Sequence, residues 1–358
     1  MTDVALATLD LRDEIDEELV CTAVVRETHD VLSFVLASPR GSAYRFQPGQ
    51  HLTVTVGVAG TPMSRCYSIS SSPARPDELT LTVKRVADGP VSGWLHDHLR
   101  VGGRLTVAGP LGAFSTDHFP TTRHLFLSAG SGVTPVMSML RALCDEGRAT
   151  DVVFMHHART PSDLVFREDL EGLAARHPGV RVVFVCEGDD TDEDADPWTG
   201  RRGRLTLAAL TEIAPDVADR EVFLCGPAPY MTAARGFLTD AGADPARCHD
   251  ESFDLLVADP PAVPVSVQDA GAAYTVELRR SGRSVVCEAG TSILLAASRA
   301  GVTLPSSCGE GVCGTCKTTL LSGSVEMNHA GGIRPREIAQ DKILLCCSTP
   351  RGDIAIDV

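Results

Sequence analysis

No apolar run in this 358-residue chain approaches the ~18 residues that a membrane-spanning helix needs. The first twenty residues are acidic and lack a basic stretch followed by an apolar core, so they do not read as a secretory signal. Positive charge is in deficit. With 32 Lys+Arg against 47 Asp+Glu the net charge is −15, which argues against nucleic acid or an anionic membrane as a partner. There is no internal repeat, and the glycine turn Gly130-Ser-Gly132 is not a G-x-G-x-x-G. Twelve cysteines without an export signal predict a reducing cytoplasm and thiols that are free or metal-bound, not a disulfide framework.

Four of those cysteines are spaced to hold metal. Cys308-Gly-Glu-Gly-Val-Cys313-Gly-Thr-Cys316 is C-x4-C-x2-C, and Cys346 follows after residues 317–345. That is the spacing of a plant-type [2Fe–2S] site, in which four thiolates surround two irons. Structural zinc sites prefer paired C-x2-4-C or Cys/His sets, and neither a second C-x2-C nor a nearby histidine pair lies downstream. Gly309, Gly311 and Gly314 lie between the ligands, where backbone N–H groups must approach sulfur and positive φ is needed. Cys346 and Cys347 are adjacent; Cys346 is assigned as the fourth ligand and Cys347 as a packing neighbour. Such a cluster carries one electron at a time, so the rest of the chain should supply the source and the exit.

The length predicts two or three domains. Residues 1–20 read as an acidic tail. Residues 21–118 hold short β-branched runs separated by Pro and Gly turns, which predicts an antiparallel β-barrel. Residues 119–256 alternate strand and helix, as in a parallel α/β sheet, with helices expected over Val136–Cys144 and Leu164–Arg176. Residues 257–272, with Pro260, Pro261 and Pro264, read as a semi-rigid linker. Residues 273–358 carry the cysteine motif, with strands expected at Tyr274–Leu278 and Ser284–Cys287 and a helix near Ile293–Ala300. The acidic runs Asp13–Glu18 and Asp189–Asp196 read as solvated. Residues 272–358 contain eight Asp/Glu and nine Lys/Arg, so this domain is near neutral.

Several motifs carry a resemblance. Arg65-Cys-Tyr67-Ser68, then Lys84 leading into Gly89-Pro-Val-Ser92, then Gly109-Pro110-Leu-Gly112-Ala-Phe114, resemble the flavin motifs of the ferredoxin–NADP reductase superfamily. The resemblance implies that Arg65 pairs with a flavin phosphate, Tyr67 stacks on the isoalloxazine and Ser68 bonds near N5. It implies that Gly89 and Ser92 open a helix at the pyrophosphate, with Ser92 as N-cap, and that the last motif closes the barrel. Guanidinium suits phosphate bidentately, and an aromatic plate buries a flat ring. A pyrophosphate favours FAD over FMN.

Leu127-Ser-Ala-Gly130-Ser-Gly132-Val-Thr134-Pro135 follows a strand and opens a helix, as the superfamily's nucleotide loop does. Cys225-Gly226-Pro227 resembles the family's C-G-P, whose cysteine lies beside the nicotinamide. Arg159-Thr-Pro-Ser162-Asp163 resembles the loop near the adenosine ribose. NADPH stays open there, but no basic cluster surrounds Arg159, so NADH is preferred. His249-Asp-Glu251-Ser-Phe253 resembles H-x-E-x-F, with Glu251 at the flavin edge. The resemblance makes Ser68, Cys225 and Glu251 the catalytic set.

The order of flavin barrel, nucleotide domain and C-terminal β-grasp ferredoxin resembles the reductase components of Rieske-type oxygenases. The segments Leu320–His329, Gly331–Glu337 and Leu344–Ser348 are similar to reductases of glycine betaine or stachydrine demethylation; hybrid-cluster-protein and steroid 9α-hydroxylase reductases are relatives. The resemblance implies an NADH-dependent oxidoreductase that passes single electrons to a terminal Rieske-type oxygenase or another one-electron acceptor protein. Ferredoxins of this type are usually acidic; here Arg334, Arg336 and Arg351 are the side chains expected to meet an acidic partner instead.

Overall fold

The computed structural model describes residues 10–190, 198–253 and 272–358, except 303, 305, 307, 308, 310, 312 and 313. The expected linker, most of the Asp189–Asp196 run, Cys308 and Cys313 therefore lie outside the described residues. Among the described residues no helix is long and apolar enough to cross a membrane.

Alternating apolar residues build the first sheet. Strands β1 (Ile15–Arg26), β2 (Val31–Ala37), β3 (His51–Val58), β4 (Thr61–Ser68), β5 (Leu79–Lys84) and β6 (Arg104–Leu111) run in the order β4-β3-β6-β1-β2-β5. β1 pairs antiparallel with β2 and β6, and β2 with β5. The bridge Ile69–Leu81 joins the two edges, so inward Leu19, Phe34, Leu52, Val54 and Leu81 form one core. A helix, α1 (Pro90–His98), covers one end with Val91 and Leu95.

Two expectations change here. The barrel starts at Ile15, not after residue 20: Ile15 and Leu19 are fully buried, while Glu17 turns out to accept the Tyr44 hydroxyl at 2.6 Å. The acidic run hides an alternating strand because its outward positions are the charged ones. Phe114 does not close the barrel. It sits in the core of the next sheet, 5.6 Å from Phe223 centroid to centroid.

That next sheet is fully parallel. β7 (Arg123–Ala129), β8 (Asp151–Ala158), β9 (Val180–Cys186), β10 (Arg201–Arg202), β11 (Glu221–Cys225) and β12 (Cys248–Glu251) take the order β10-β9-β8-β7-β11-β12. Helices cover both faces, so the central strands are apolar on both. Phe126 and Phe223 face α2 (Val133–Asp145) and α3 (Arg167–Arg176). Leu127 and Leu224 face α4 (Leu207–Ile213) and α5 (Ala228–Asp240). α3 begins three residues later than its apolar pattern suggests, because Phe166 holds a left-handed conformation at φ 59°. Apart from residues 64–66 and 111–113, barrel and parallel sheet share one compact unit up to Phe253.

The C-terminal unit is a β-grasp. β13 (Ala273–Leu278), β14 (Arg283–Glu288), β15 (Lys317–Ser322), β16 (Lys342–Leu344) and β17 (Ile354–Ile356) lie in the order β14-β13-β17-β15-β16. Only β13 and β17 among these pairs run parallel. Helix α6 (Ile293–Arg299), capped by Ser292, packs Ile293, Ala296 and Ala297 into their core.

Candidate functional site

In the barrel, β4 delivers Arg65, Tyr67 and Ser68. Tyr67 packs against the barrel core. The Arg65 Nη1 donates to the Ser64 carbonyl at 2.8 Å. Ser68 is buried, and among the described residues its Oγ has no hydrogen-bond partner. A buried hydroxyl left unpaired costs about 1–3 kcal/mol, so this atom fits a polar ligand group that completes it. Val86, Gly89, Pro90, Gly93 and Trp94 line a cleft of about 550 Å³.

Ser92 does not cap α1. Gly89 is the N-cap, and Pro90 opens the helix. Ser92 sits a turn inside, where its Oγ accepts from the Val86 N–H at 3.2 Å and donates to the Gly89 carbonyl at 3.2 Å. Pro90 supplies the fixed φ that starts the helix and offers no N–H. Ser92 thus shapes the turn that an anion would meet. Lys84 is also engaged: its Nζ lies 3.0 Å from Asp30.

In the parallel sheet, the loop after β7 turns through Gly130, at φ 53°, and Gly132 into α2, whose first N–H groups have no side-chain cap. Such an open helix start suits a pyrophosphate. A Cβ on Gly132 would stand 2.3 Å from the Cys225 carbonyl oxygen, so the loop lies directly against the Cys225–Gly226 peptide at the end of β11. Gly226 is equally confined, since a Cβ there would come 2.8 Å from the Tyr230 ring. Pro227 is the N-cap of α5. Thr134 is buried and donates to the Ser131 carbonyl at 3.0 Å, holding the loop. The Cys225 side chain is fully buried in the α2-facing core; burial, with Glu251 adding negative charge, pushes its thiol well up and keeps it protonated. Glu251 is buried beside it, paired in register across β11 and β12. Arg159 follows β8 directly and forms a two-point ion pair with Asp163.

Other side chains of this region gave no motif in the sequence. His156 Nδ1 lies 2.9 Å from Ser128 Oγ, and His157 Nδ1 lies 3.1 Å from Tyr230 Oη. Burial lowers His156 to about 3 and His157 to about 4, so both are neutral. Arg141 on α2 donates to the Ser70 carbonyl at 2.7 Å and lies over the Phe166 ring, tying the barrel to the sheet. Two strand histidines and a helix arginine become visible only once β7, β8 and α5 are side by side.

In the ferredoxin unit, Cys316 Sγ and Cys346 Sγ stand 3.3 Å apart, both buried. A disulfide would bring them to ~2.05 Å. The Gly311 N–H donates to Cys346 Sγ at 3.2 Å. Two converging thiols with an amide aimed at one sulfur fit an iron–sulfur ligand set. Cys347 Sγ lies 3.8 Å from the Leu344 carbonyl and packs on Gly311, where a Cβ would come within 2.8 Å of it; it does not share the Cys316–Cys346 sulfur contact. Lys317, which follows Cys316, reaches Glu337 at 2.8 Å. Burial alone would raise Glu337; hydrogen bonds from Lys317 and from the Arg334 backbone and side chain outweigh it and hold the carboxyl at about 2. Two of the three arginines expected to face a partner are engaged internally, Arg334 with Glu337 and Arg351 with Glu326.

Comparison with known proteins agrees with this architecture. Residues 18–116 match the oxidoreductase FAD-binding domain, 126–236 the oxidoreductase NAD-binding domain and 276–351 the 2Fe-2S iron-sulfur cluster binding domain. The chain is 40% identical over 351 residues to the glycine betaine monooxygenase reductase subunit of Pseudomonas aeruginosa, covering 94% of each chain. It is 39% identical over 342 residues to the stachydrine N-demethylase reductase subunit of Rhizobium meliloti, covering 95% of this chain and 96% of that one. The ferredoxin reductase component of 3-ketosteroid-9-alpha-monooxygenase from Mycolicibacterium smegmatis is 36% identical over 348 residues, with coverage of 94% and 95%. In fold, phthalate dioxygenase reductase aligns with a TM-score of 0.57 at 24% identity, over 96% of this chain and 98% of that one. With a flavin barrel, a nucleotide sheet and a cluster-bearing β-grasp in one polypeptide, the chain belongs to the ferredoxin–NADP reductase superfamily, among the NAD(P)H-dependent oxygenase reductases that carry FAD, NAD and plant-type 2Fe-2S domains.

Proposed function

We propose that this chain is the NADH-dependent reductase of a Rieske-type monooxygenase that demethylates a quaternary amine of the glycine betaine or stachydrine kind. The observation that carries it is the full-length likeness to two such reductase subunits, at 40% and 39% identity. The steroid-oxygenase reductase follows at 36%.

When bound, FAD takes a hydride from the nicotinamide and the cluster takes electrons one at a time. The chain's residues position these groups. Arg65 and the Gly89–Ser92 turn are assigned to flavin phosphates, with Lys84 beside them. Tyr67 offers a stacking face, and Ser68 Oγ a bond to the ring edge. Gly130, Gly132 and Thr134 shape the cradle for the dinucleotide pyrophosphate, and Gly226 and Pro227 keep the facing backbone close. Cys225 and Glu251 border the end of β11. The protonated Cys225 thiol supports a packing role there rather than nucleophilic attack. Cys308, Cys313, Cys316 and Cys346 are assigned to the irons. The terminal oxygenase is the partner, and the cytoplasm, with its reduced thiols, the location.

The test is reconstitution. Purified chain, NADH and a glycine betaine or stachydrine oxygenase component should consume NADH in proportion to amine demethylated. Turnover with ferricyanide but with neither oxygenase would leave the chain a reductase and remove this partner assignment.

A further inference from the structure

We infer that Asp163 sets the choice of nicotinamide cofactor: by clasping the Arg159 guanidinium it withholds the counter-ion that a 2′-phosphate needs, and so selects NADH over NADPH. The inference deepens the reading of the chain as an NADH-dependent reductase and rests on it.

Topology locates the pair. β8 lies next to β7 in the parallel sheet, and Arg159 is the first residue beyond its C-terminal end. In doubly wound sheets that carry a dinucleotide on the loop after the first strand, this neighbouring edge meets the adenosine ribose, where an arginine accommodates a 2′-phosphate. Arg159 is therefore in the place for NADPH. Its head group is not available. Nε donates to one Asp163 oxygen at 3.0 Å and Nη2 to the other at 3.2 Å, the fork-to-fork geometry that charged pairs favour.

The two partners are unequally exposed, and this decides which interaction wins. The Arg159 side chain is 66% exposed, the Asp163 side chain only 9%. An exposed arginine loses little by moving. A nearly buried carboxylate that loses its arginine keeps, among the described residues, only His29, at 3.7 Å, as a possible cation, and stranding a buried charge is costly. The clasp is held from the aspartate side. The surroundings oppose a second anion as well. Asp190 accepts the Ser162 N–H at 3.0 Å in the same loop, and Asp30 and Glu187 add negative charge near Arg159. The cations beside those acids are already used, Lys84 on Asp30 at 3.0 Å and Arg204 on Glu187 at 3.1 Å. A 2′-phosphate brings up to about two negative charges into this field, whereas a ribose 2′-hydroxyl brings none.

The test compares 2′,5′-ADP with 5′-AMP by calorimetry on the flavin- and cluster-loaded protein, alongside kcat/KM for NADPH and NADH. The wild type should bind 5′-AMP at least as well as 2′,5′-ADP and should prefer NADH. Asp163→Asn should shift both ratios toward the phosphorylated ligand on the order of tenfold, the scale of one charged hydrogen bond. Adding Arg159→Gln to that variant should erase the shift. Asp163→Ser, which also frees the guanidinium, should show the same shift, which keeps the inference testable if Asp163→Asn folds poorly. Unchanged ratios in Asp163→Asn and Asp163→Ser, or a shift that survives the added Arg159→Gln, would overturn it. A wild type without NADH turnover would instead sink the reductase reading, and the calorimetry would still report on the clasp.

Discussion

Gly132 lies beneath the Cys225–Gly226 peptide, with room for no side chain: a Cβ there would sit 2.3 Å from the Cys225 oxygen and 2.6 Å from the Gly226 nitrogen. This contact joins two motifs that are about ninety residues apart in the chain and fixes the floor of the proposed pyrophosphate cradle. Gly132→Ala should push the loop off the peptide. Overpacking of this sort costs ~1–3 kcal/mol, so NADH-dependent ferricyanide reduction should fall about tenfold or more while flavin content holds. Steady-state kinetics with a flavin absorbance check would show it. Wild-type kcat/KM in the variant would mean the cradle lies elsewhere.

Ser68→Ala separates a ligand role from a structural one. The hydroxyl is buried without a partner among the described residues, so removing it should leave the flavin-free protein as stable as before, or slightly more so. Flavin affinity should drop by the ~1–3 kcal/mol of a hydrogen bond lost in a buried site. Thermal melts and flavin titrations of the flavin-free form are the readouts. An equal loss of stability with and without flavin would assign Ser68 to the fold alone.

The adjacent cysteines should behave oppositely. Cys346 faces Cys316 and receives the Gly311 N–H, whereas Cys347 packs on Gly311 with its thiol 3.8 Å from the Leu344 carbonyl. Cys346→Ser should lose the cluster absorbance and keep NADH-to-ferricyanide activity through the flavin. Cys347→Ser should retain iron and sulfide at wild-type content. The reverse pattern would exchange their roles.

Acid should weaken the parallel sheet. Burial lowers His124 to about 4, His156 to about 3 and His157 to about 4, against 6.5 as the ordinary value. The folded state holds them neutral, and the unfolded chain binds the extra protons once pH drops below that value. Stability is therefore full above pH 6.5 and falls as pH declines toward 4, by up to ~1.4 kcal/mol per pH unit for each histidine. Glu337, held at about 2 against 4.5, extends the loss further down. Urea midpoints followed by circular dichroism between pH 7.5 and 4.5 would measure this. A flat profile would contradict the burial of these rings.

The sequence made the cluster spacing, the barrel-then-sheet order and the glycine loop legible, because each is a local pattern of residue types. Interactions between distant segments were not. Ser92 read as a helix cap, but Pro90 starts the helix and draws the serine hydroxyl back to Val86. The Asp13–Glu18 run read as tail because its charges hide Ile15 and the strand's alternation. Leu164–Phe166 carry the apolar pattern of α3, yet the left-handed Phe166 delays the helix. Arg334 and Arg351 looked ready for a partner until Glu337 and Glu326 were found beside them. Spacing does not decide between Cys346 and Cys347; in the structure Cys346 Sγ is the one that lies against Cys316 Sγ and accepts the Gly311 N–H.

The central claim is that electrons enter as hydride at the nucleotide sheet and leave singly from the β-grasp. Anaerobic addition of NADH to the loaded protein, followed by visible absorbance and electron paramagnetic resonance, tests it most directly. The account predicts that the flavin band bleaches and the rhombic signal of a reduced [2Fe–2S] cluster appears, with Cys346→Ser keeping the bleaching and losing the signal. A flavin fully reduced by NADH beside a cluster that stays oxidised would contradict it.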